Sequence, residues 1–219
     1  MKNRNRQSES IRKMVMAGML SAITALLAFT PIGMIPLPPP LASVTMVHLP
    51  VILGALAEGP LVGAVVGLMF GLFSFIRAWE TGMVGLTLFF RNPLVSIVPR
   101  VLVPLAAWGA YWLWRRLVPQ NKVTDKVGAG LAAAVGAVTN TVLCLGMIVA
   151  LYGGELTELV NNLVSAGNAE AGYLENAGAW LVAGVGVPNG IAEAVAAAVI
   201  VPALKAAIDA VTHRRRRAQ

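Results

Sequence analysis

The chain has 219 residues, 57% of them hydrophobic and 12% charged, with a mean hydropathy of +0.73, which excludes a water-soluble domain and the collagen-like, disordered and disulfide-rich classes. The formal charge is +7, but the basic residues flank apolar stretches, so the excess reads as membrane topology with no nucleic acid as partner. At roughly 20 apolar residues per transmembrane helix, the length admits about six spans.

Apolar segments fall at 13–29, 44–57, 60–77, 93–114, 127–152 and 178–211, each bounded by Pro, Gly or charge. They predict an all-α integral membrane protein with a six-transmembrane-helix bundle. One membrane domain is expected over 1–219: a basic N-terminus at 1–12, the bundle at 13–211 and a basic tail at 212–219.

Lys2, Arg4, Arg6, Arg12 and Lys13 precede the run Met14–Phe29 as in a secretory signal, but no A-x-A-like cleavage site closes the run, so a retained first span is expected. Ala17, Ser21 and Ala25, with Gly18 and Ala22 beside them, make one face of this helix nearly flat. Such spacing lets backbones approach closely in lipid, within this chain or against a partner. Residues 30–46 then form a Pro-rich loop whose run Pro36, Leu37, Pro38, Pro39, Pro40 favours extended backbone.

His48 precedes Pro50 at the start of the short second helix, where it either hydrogen-bonds a ligand or caps the turn. The corner Glu58-Gly59-Pro60 permits only a tight turn, so segments two and three form a helical hairpin. Gly63, Gly67 and Gly71 repeat the small-residue spacing and point to an internal contact. In the loop 77–92, Trp79 beside Glu80 is either a stacking surface for a ligand ring or a membrane-interface anchor. Arg91-Asn92-Pro93 marks re-entry into the membrane, with Pro93 suited to the first helical turn. Arg91 either meets an anionic group or snorkels to the headgroups.

An unpaired charge at mid-bilayer costs about 2.5–3.5 kcal/mol on insertion scales, so polar residues inside spans carry information. Arg100 lies in segment four, Asn140 in segment five, and Asn189 with Glu193 in segment six, where their spacing puts both on one helix face. They build either a polar cavity or an Arg100–Glu193 ion pair or interhelical hydrogen bonds that fix the bundle. Trp108, Trp112 and Trp114 read as interfacial belt residues, and Cys144, the single cysteine, as a packing residue. Residues 153–176 are expected as a long acidic outer loop. Arg214, Arg215, Arg216 and Arg217 read as a topology anchor attracted to anionic lipid.

With the N-terminus inside, fourteen basic residues fall on the inner side and only Arg77, Arg91 and Arg100 elsewhere, which makes both termini cytoplasmic. The three large loops then face outward, where loops of this size suit lids over a site. Neither H-E-x-x-H, G-x-S-x-G nor G-x-x-x-x-G-K-[ST] occurs. No catalytic residue, metal ligand or cofactor site is therefore expected, and ATP hydrolysis, if the protein needs it, falls to another subunit.

The stretches 30–74, 89–103, 135–146 and 187–204, in this order, resemble the substrate-binding S components of energy-coupling factor (ECF) vitamin transporters, the family that holds riboflavin, folate and pantothenate binders. The resemblance implies a multi-pass protein of a prokaryotic cell membrane, not an enzyme, that takes a small-molecule vitamin at the outer surface. It implies docking on a transmembrane T subunit coupled to two cytoplasmic ATPases, through an A-x-x-x-A-type face that Ala17, Ser21 and Ala25 match with serine in place of one alanine. The expected substrate contacts are Arg91, Asn92, Arg100, Asn140, Asn189, Glu193, His48 and Trp79. Pantothenate is the first choice, since its carboxylate suits Arg91 or Arg100 and its amide and hydroxyls suit the two asparagines; niacin-like, pyrimidine-type and cobalamin ligands stay open. The rival classes are a stand-alone secondary carrier or channel, which needs a continuous polar path or a proton-coupled carboxylate such as Glu193, and a membrane scaffold.

Overall fold

The computed structural model describes residues 2–35, 44–80, 85–167 and 176–217. Its elements are α1 (Lys2–Phe29), a two-residue antiparallel pair β1 (Met34–Ile35) and β2 (Val44–Thr45), α2 (Leu49–Glu58), α3 (Pro60–Glu80), a 3-10 turn (Gly85–Arg91), α4 (Pro93–Leu117), α5 (Lys122–Leu151), α6 (Gly153–Ser165), and a last rod built from α7 (Ala177–Ala179), a π-helical segment (Trp180–Gly186) and α8 (Val187–Arg217). The protein is all-helical apart from that hairpin pair. Among the described residues five helices are long and apolar enough to cross a membrane, namely Gln7–Phe29, Pro60–Glu80, Pro93–Leu117, Lys122–Leu151 and Ala177–Val211. The second apolar segment differs from expectation. It yields a helix of only 10 residues, about 15 Å long, because residues 44–45 are drawn into the hairpin.

Two further boundaries move. α1 extends through the basic segment 2–12, and α8 continues to Arg217. The stretch expected as a long loop at 153–176 contains α6, whose Leu156, Leu159, Val160, Leu163 and Val164 recur at helical spacing and pack onto Phe89, Ile148 and Trp180. The run Pro36–Pro40 lies outside the described residues.

α4 sits between α3 and α5, and α5 packs in turn on α8. α2 is buried along nearly its whole length among these helices. Its sharp exit is made by Gly59, whose φ of 102° L side chains rarely adopt. The α3–α4 seam depends on the glycine spacing seen in the sequence. A methyl on Gly63 would stand 2.7 Å from Pro104 Cβ, one on Gly67 2.2 Å from the Arg100 carbonyl oxygen, and one on Gly71 2.8 Å from Ile97 Cα.

Two prolines inside α4 explain its shape. Pro99 offers no N–H to the Val95 carbonyl and Pro104 none to that of Arg100. The first is taken by the guanidinium of Arg100, whose Nη1 donates to Val95 O at 2.8 Å. The second faces Gly67, whose missing side chain lets α3 close on it. Trp114 departs from the belt expected of it. Its Nε1 donates to Thr124 O at 2.9 Å, and its ring lies where a side chain on Gly128 would stand.

Replacing Gly67 by Ala should force α3 and α4 apart and lower stability by about 1–3 kcal/mol, whereas Gly18→Ala, which meets open space inside α1, should hold or raise the melting temperature in detergent. Thermal melts of both variants check the pair.

Candidate functional site

A cavity of about 350 Å³ opens among α3, α4, α5 and the last rod, at the end of the bundle that carries the hairpin and the 3-10 turn. That volume suits a small organic molecule. Its wall is largely apolar, with polar groups from Thr45, Ser74, Arg77, Arg100, Asn140 and Asn189 and the carboxylate of Glu193.

Arg100 is the charged group that dominates it. It is buried at 5% exposure, and its Nη1 donates to Val95 O at 2.8 Å and contacts Cys144 Sγ at 2.6 Å. Its guanidinium lies between the rings of Phe70 and Phe90, 5.2 and 4.8 Å from their centroids. Among the described residues no carboxylate pairs with it, and its Nε has no hydrogen-bond partner. Arg100 and Glu193 are thus not an ion pair. Burying an unbalanced cation in low dielectric is costly, and Arg100 is held there by one carbonyl, one sulfur and two aromatic faces.

α5 contributes Asn140 and Cys144 from one face, four residues apart, with the thiol donating toward Asn140 Oδ1 at 3.7 Å. The last rod contributes Asn189 and Glu193 in the same way, directly after the π-helical segment. π-helical turns are frequent at functional sites, and here Val185 and Gly186 at its end line the cavity while Gly186 packs close to Leu145. Asn189 Oδ1 is buried and unpartnered. Glu193 is committed to the hairpin: its Oε1 accepts from the Thr45 N–H at 2.8 Å and from the Thr45 hydroxyl at 2.9 Å. β2 is therefore fastened to α8 across the cavity mouth.

The structure brings Arg100, Asn140, Asn189 and Glu193 to one cavity, while the other four expected contacts lie outside its lining. Arg91 donates from Nε to Ala78 O at 3.1 Å and places its guanidinium 4.6 Å from the centroid of the Trp79 ring, which is itself 58% exposed. Asn92 caps α4 by accepting from Leu94 N and reaches Tyr152 Oη at 3.0 Å. His48 occupies the N-cap of α2 without a side-chain cap bond and is buried with neither ring nitrogen paired.

Sequence reasoning missed Arg77, Thr45, Phe70, Phe90 and Cys144 as cavity groups. Arg77, at the end of an apolar run, reads as a span boundary, yet its Nη1 donates to Ala28 O and ties α3 to α1 beside the cavity. Cys144 sits four residues after Asn140, a spacing that could have flagged it. Nothing local marks Thr45, whose role depends on a partner 148 positions away. On the presumed docking face, Ala17, Ser21 and Ala25 are half-buried along α1, and Gly18 and Ala22 beside them are exposed.

Glu193→Ala should release the Thr45 amide. A hydrogen bond to a charged acceptor contributes about 1.5–3 kcal/mol, so hydrogen exchange at Thr45 should accelerate by about tenfold or more, with α3 and α5 amides unaffected. Unchanged protection at Thr45 would show that the fastening does not depend on this carboxylate.

Comparison with known proteins places these features in a family. Residues 12–205 match the model described as "ECF transporter, substrate-specific component". The chain is 32% identical over 137 residues to the "Pantothenic acid transporter PanT" of Lactococcus lactis subsp. cremoris (strain MG1363), covering 56% of this chain and 64% of that protein. It is 33% identical over 102 residues to the "Pantothenate transporter PanT" of Leuconostoc mesenteroides subsp. mesenteroides, covering 46% and 48% respectively. The chain thus spans less than two thirds of the length of the curated relatives it matches. With nearly its whole length matched, and with several membrane-crossing helices around a cavity that opens at one end, this multi-pass membrane protein belongs to the family of substrate-specific components of ECF transporters.

Proposed function

We propose that the chain is the pantothenate-binding subunit of an ECF-type importer: it takes the vitamin from the outer side and delivers it by docking on a T subunit served by two cytoplasmic ATPases. In this reading it is not an enzyme. The five long helices and the short α2 make six membrane segments in one domain over 1–219, with both termini cytoplasmic. The observation that carries the proposal is the buried Arg100 guanidinium, without a carboxylate partner, in a cavity that also holds the orphan Asn189 Oδ1.

The chemistry of pantothenate fits these vacancies. Its carboxylate supplies the counter-charge that Arg100 lacks, and the low dielectric around the pair makes the charge-assisted bond strong. A hydroxyl or amide N–H of the vitamin donates to Asn189 Oδ1, and Asn140 offers an amide to the same chain of polar groups. The gem-dimethyl carbon meets apolar wall. Glu193, already holding Thr45, is assigned to positioning the hairpin over the bound vitamin. Arg91, Asn92, Trp79 and His48 are assigned to the frame around the entrance. The two relatives described as pantothenate transporters support the choice of vitamin. Docking is assigned to Ala17, Ser21 and Ala25, whose small side chains admit a helix at close range.

Calorimetry on the purified chain should show pantothenate binding without any other subunit, and no heat with pantothenate would reject the reading. Arg100→Gln should weaken binding by on the order of a hundredfold, and Asn189→Ala by about 1–3 kcal/mol. Panthenol, the alcohol that lacks the carboxylate, should bind weakly to the wild type and lose little further affinity in Arg100→Gln. In liposomes the chain alone should give no gradient-driven uptake, and ATP-dependent uptake should appear with the T and ATPase subunits.

Ala17→Leu or Ser21→Leu should spare pantothenate binding and abolish co-purification with the T subunit. Intact complexes would move the docking face elsewhere.

A further inference from the structure

A second cavity, of about 320 Å³, lies at the opposite end of α4, between that helix and the end of α2. Its floor is apolar, from Ala55, Leu56 and Trp108, and its rim carries Trp112, Arg115 and Arg116. The two arginines stand in the last turn of a helix that crosses the membrane, so they lie at headgroup depth whichever way the protein is oriented.

Neither guanidinium is in an ion pair among the described residues, although Asp125 lies near enough to feel the charge of Arg115, in contrast to Arg12, held by Glu58 at 2.9 Å, and Lys205, held by Asp125 and Asp209 at 3.1 and 2.7 Å. The carboxylate of Asp125 is already engaged by the Tyr111 hydroxyl and Lys205. Aromatic faces position both cations. Arg115 lies 5.6 Å from the Tyr111 ring centroid and Arg116 4.8 Å from that of Trp112, which stacks in turn on Trp108 at 6.5 Å. Contact with a ring restrains a guanidinium without neutralising it.

We infer that this groove binds the headgroup of an anionic phospholipid. Arg115 and Arg116 hold the phosphodiester by charge-assisted hydrogen bonds, and the glycerol and upper acyl carbons lie on Trp108, Ala55 and Leu56. The phosphate could in principle come from a lipid or from a soluble anion, but the apolar floor continuous with the span favours the lipid. The site is separate from the vitamin cavity and does not depend on that assignment.

The test is native mass spectrometry of the full chain released from mixed phosphatidylglycerol and phosphatidylcholine micelles. Two arginines at the surface, each contributing about fivefold, should give retention of phosphatidylglycerol over phosphatidylcholine by about tenfold or more. R115Q/R116Q should abolish the preference and R115K/R116K should keep most of it, while K122Q/K126Q, which removes equal charge from the neighbouring turn, should leave it intact. The melting temperature in detergent, measured in parallel, should be unchanged in every variant and so certifies the fold. Equal retention of the two lipids, or equal loss in the K122Q/K126Q control, overturns the proposal. Displacement of phosphatidylglycerol by millimolar inorganic phosphate also overturns it, by assigning the groove to a soluble anion.

Discussion

The carbonyl that Pro99 leaves open on Val95 is the point from which the interior of this bundle is organised. A helix buried in lipid must satisfy its own backbone, and here the missing N–H is replaced by the guanidinium of the very next residue. The bond turns Arg100 back along its own helix into the cavity and fixes it between Phe70 and Phe90. One turn later Pro104 frees the carbonyl of Arg100 itself, against which Gly67 closes. Helix shape, helix contact and the placement of the charge therefore rest on a single proline pair. Without the prolines, a regular α4 would give the arginine no backbone acceptor at this depth.

The opposite end of the bundle handles its charges differently. Lys205 bridges Asp125 and Asp209, and Arg12 is paired with a nearly fully buried Glu58 side chain. These ion pairs join α5 to α8 and α1 to α2, while Arg115 and Arg116 at the same end stand outside them. The cavity end holds a cation without a match.

The long spans were legible because apolar runs and their Pro, Gly or charged borders are local signals. The convergence of Arg100, Asn140, Asn189 and Glu193 was legible for a thermodynamic reason, since polar groups are rarely stranded in lipid and tend to find one another. Two kinds of feature were not. α6 was hidden because its apolar spacing sits among acidic residues and asparagines that read as loop. Thr45, Phe70 and Phe90 acquire their roles only from partners distant in sequence, as does the inward-turned Trp114. The shortness of α2 also escaped, because residues 44–48 are as apolar as a helix start and are diverted by pairing with residues 34–35.

That shortness has a volumetric meaning. A helix of about 15 Å covers only half of a hydrocarbon layer about 30 Å thick. The residues that lead into it, Thr45 and Val47, belong to the wall of the cavity. The hollow lies beside the residues just ahead of this short helix, where a longer α2 would begin. Each added turn at the start of α2 would advance that helix by about 5 Å, toward the wall in which Thr45 and Val47 stand.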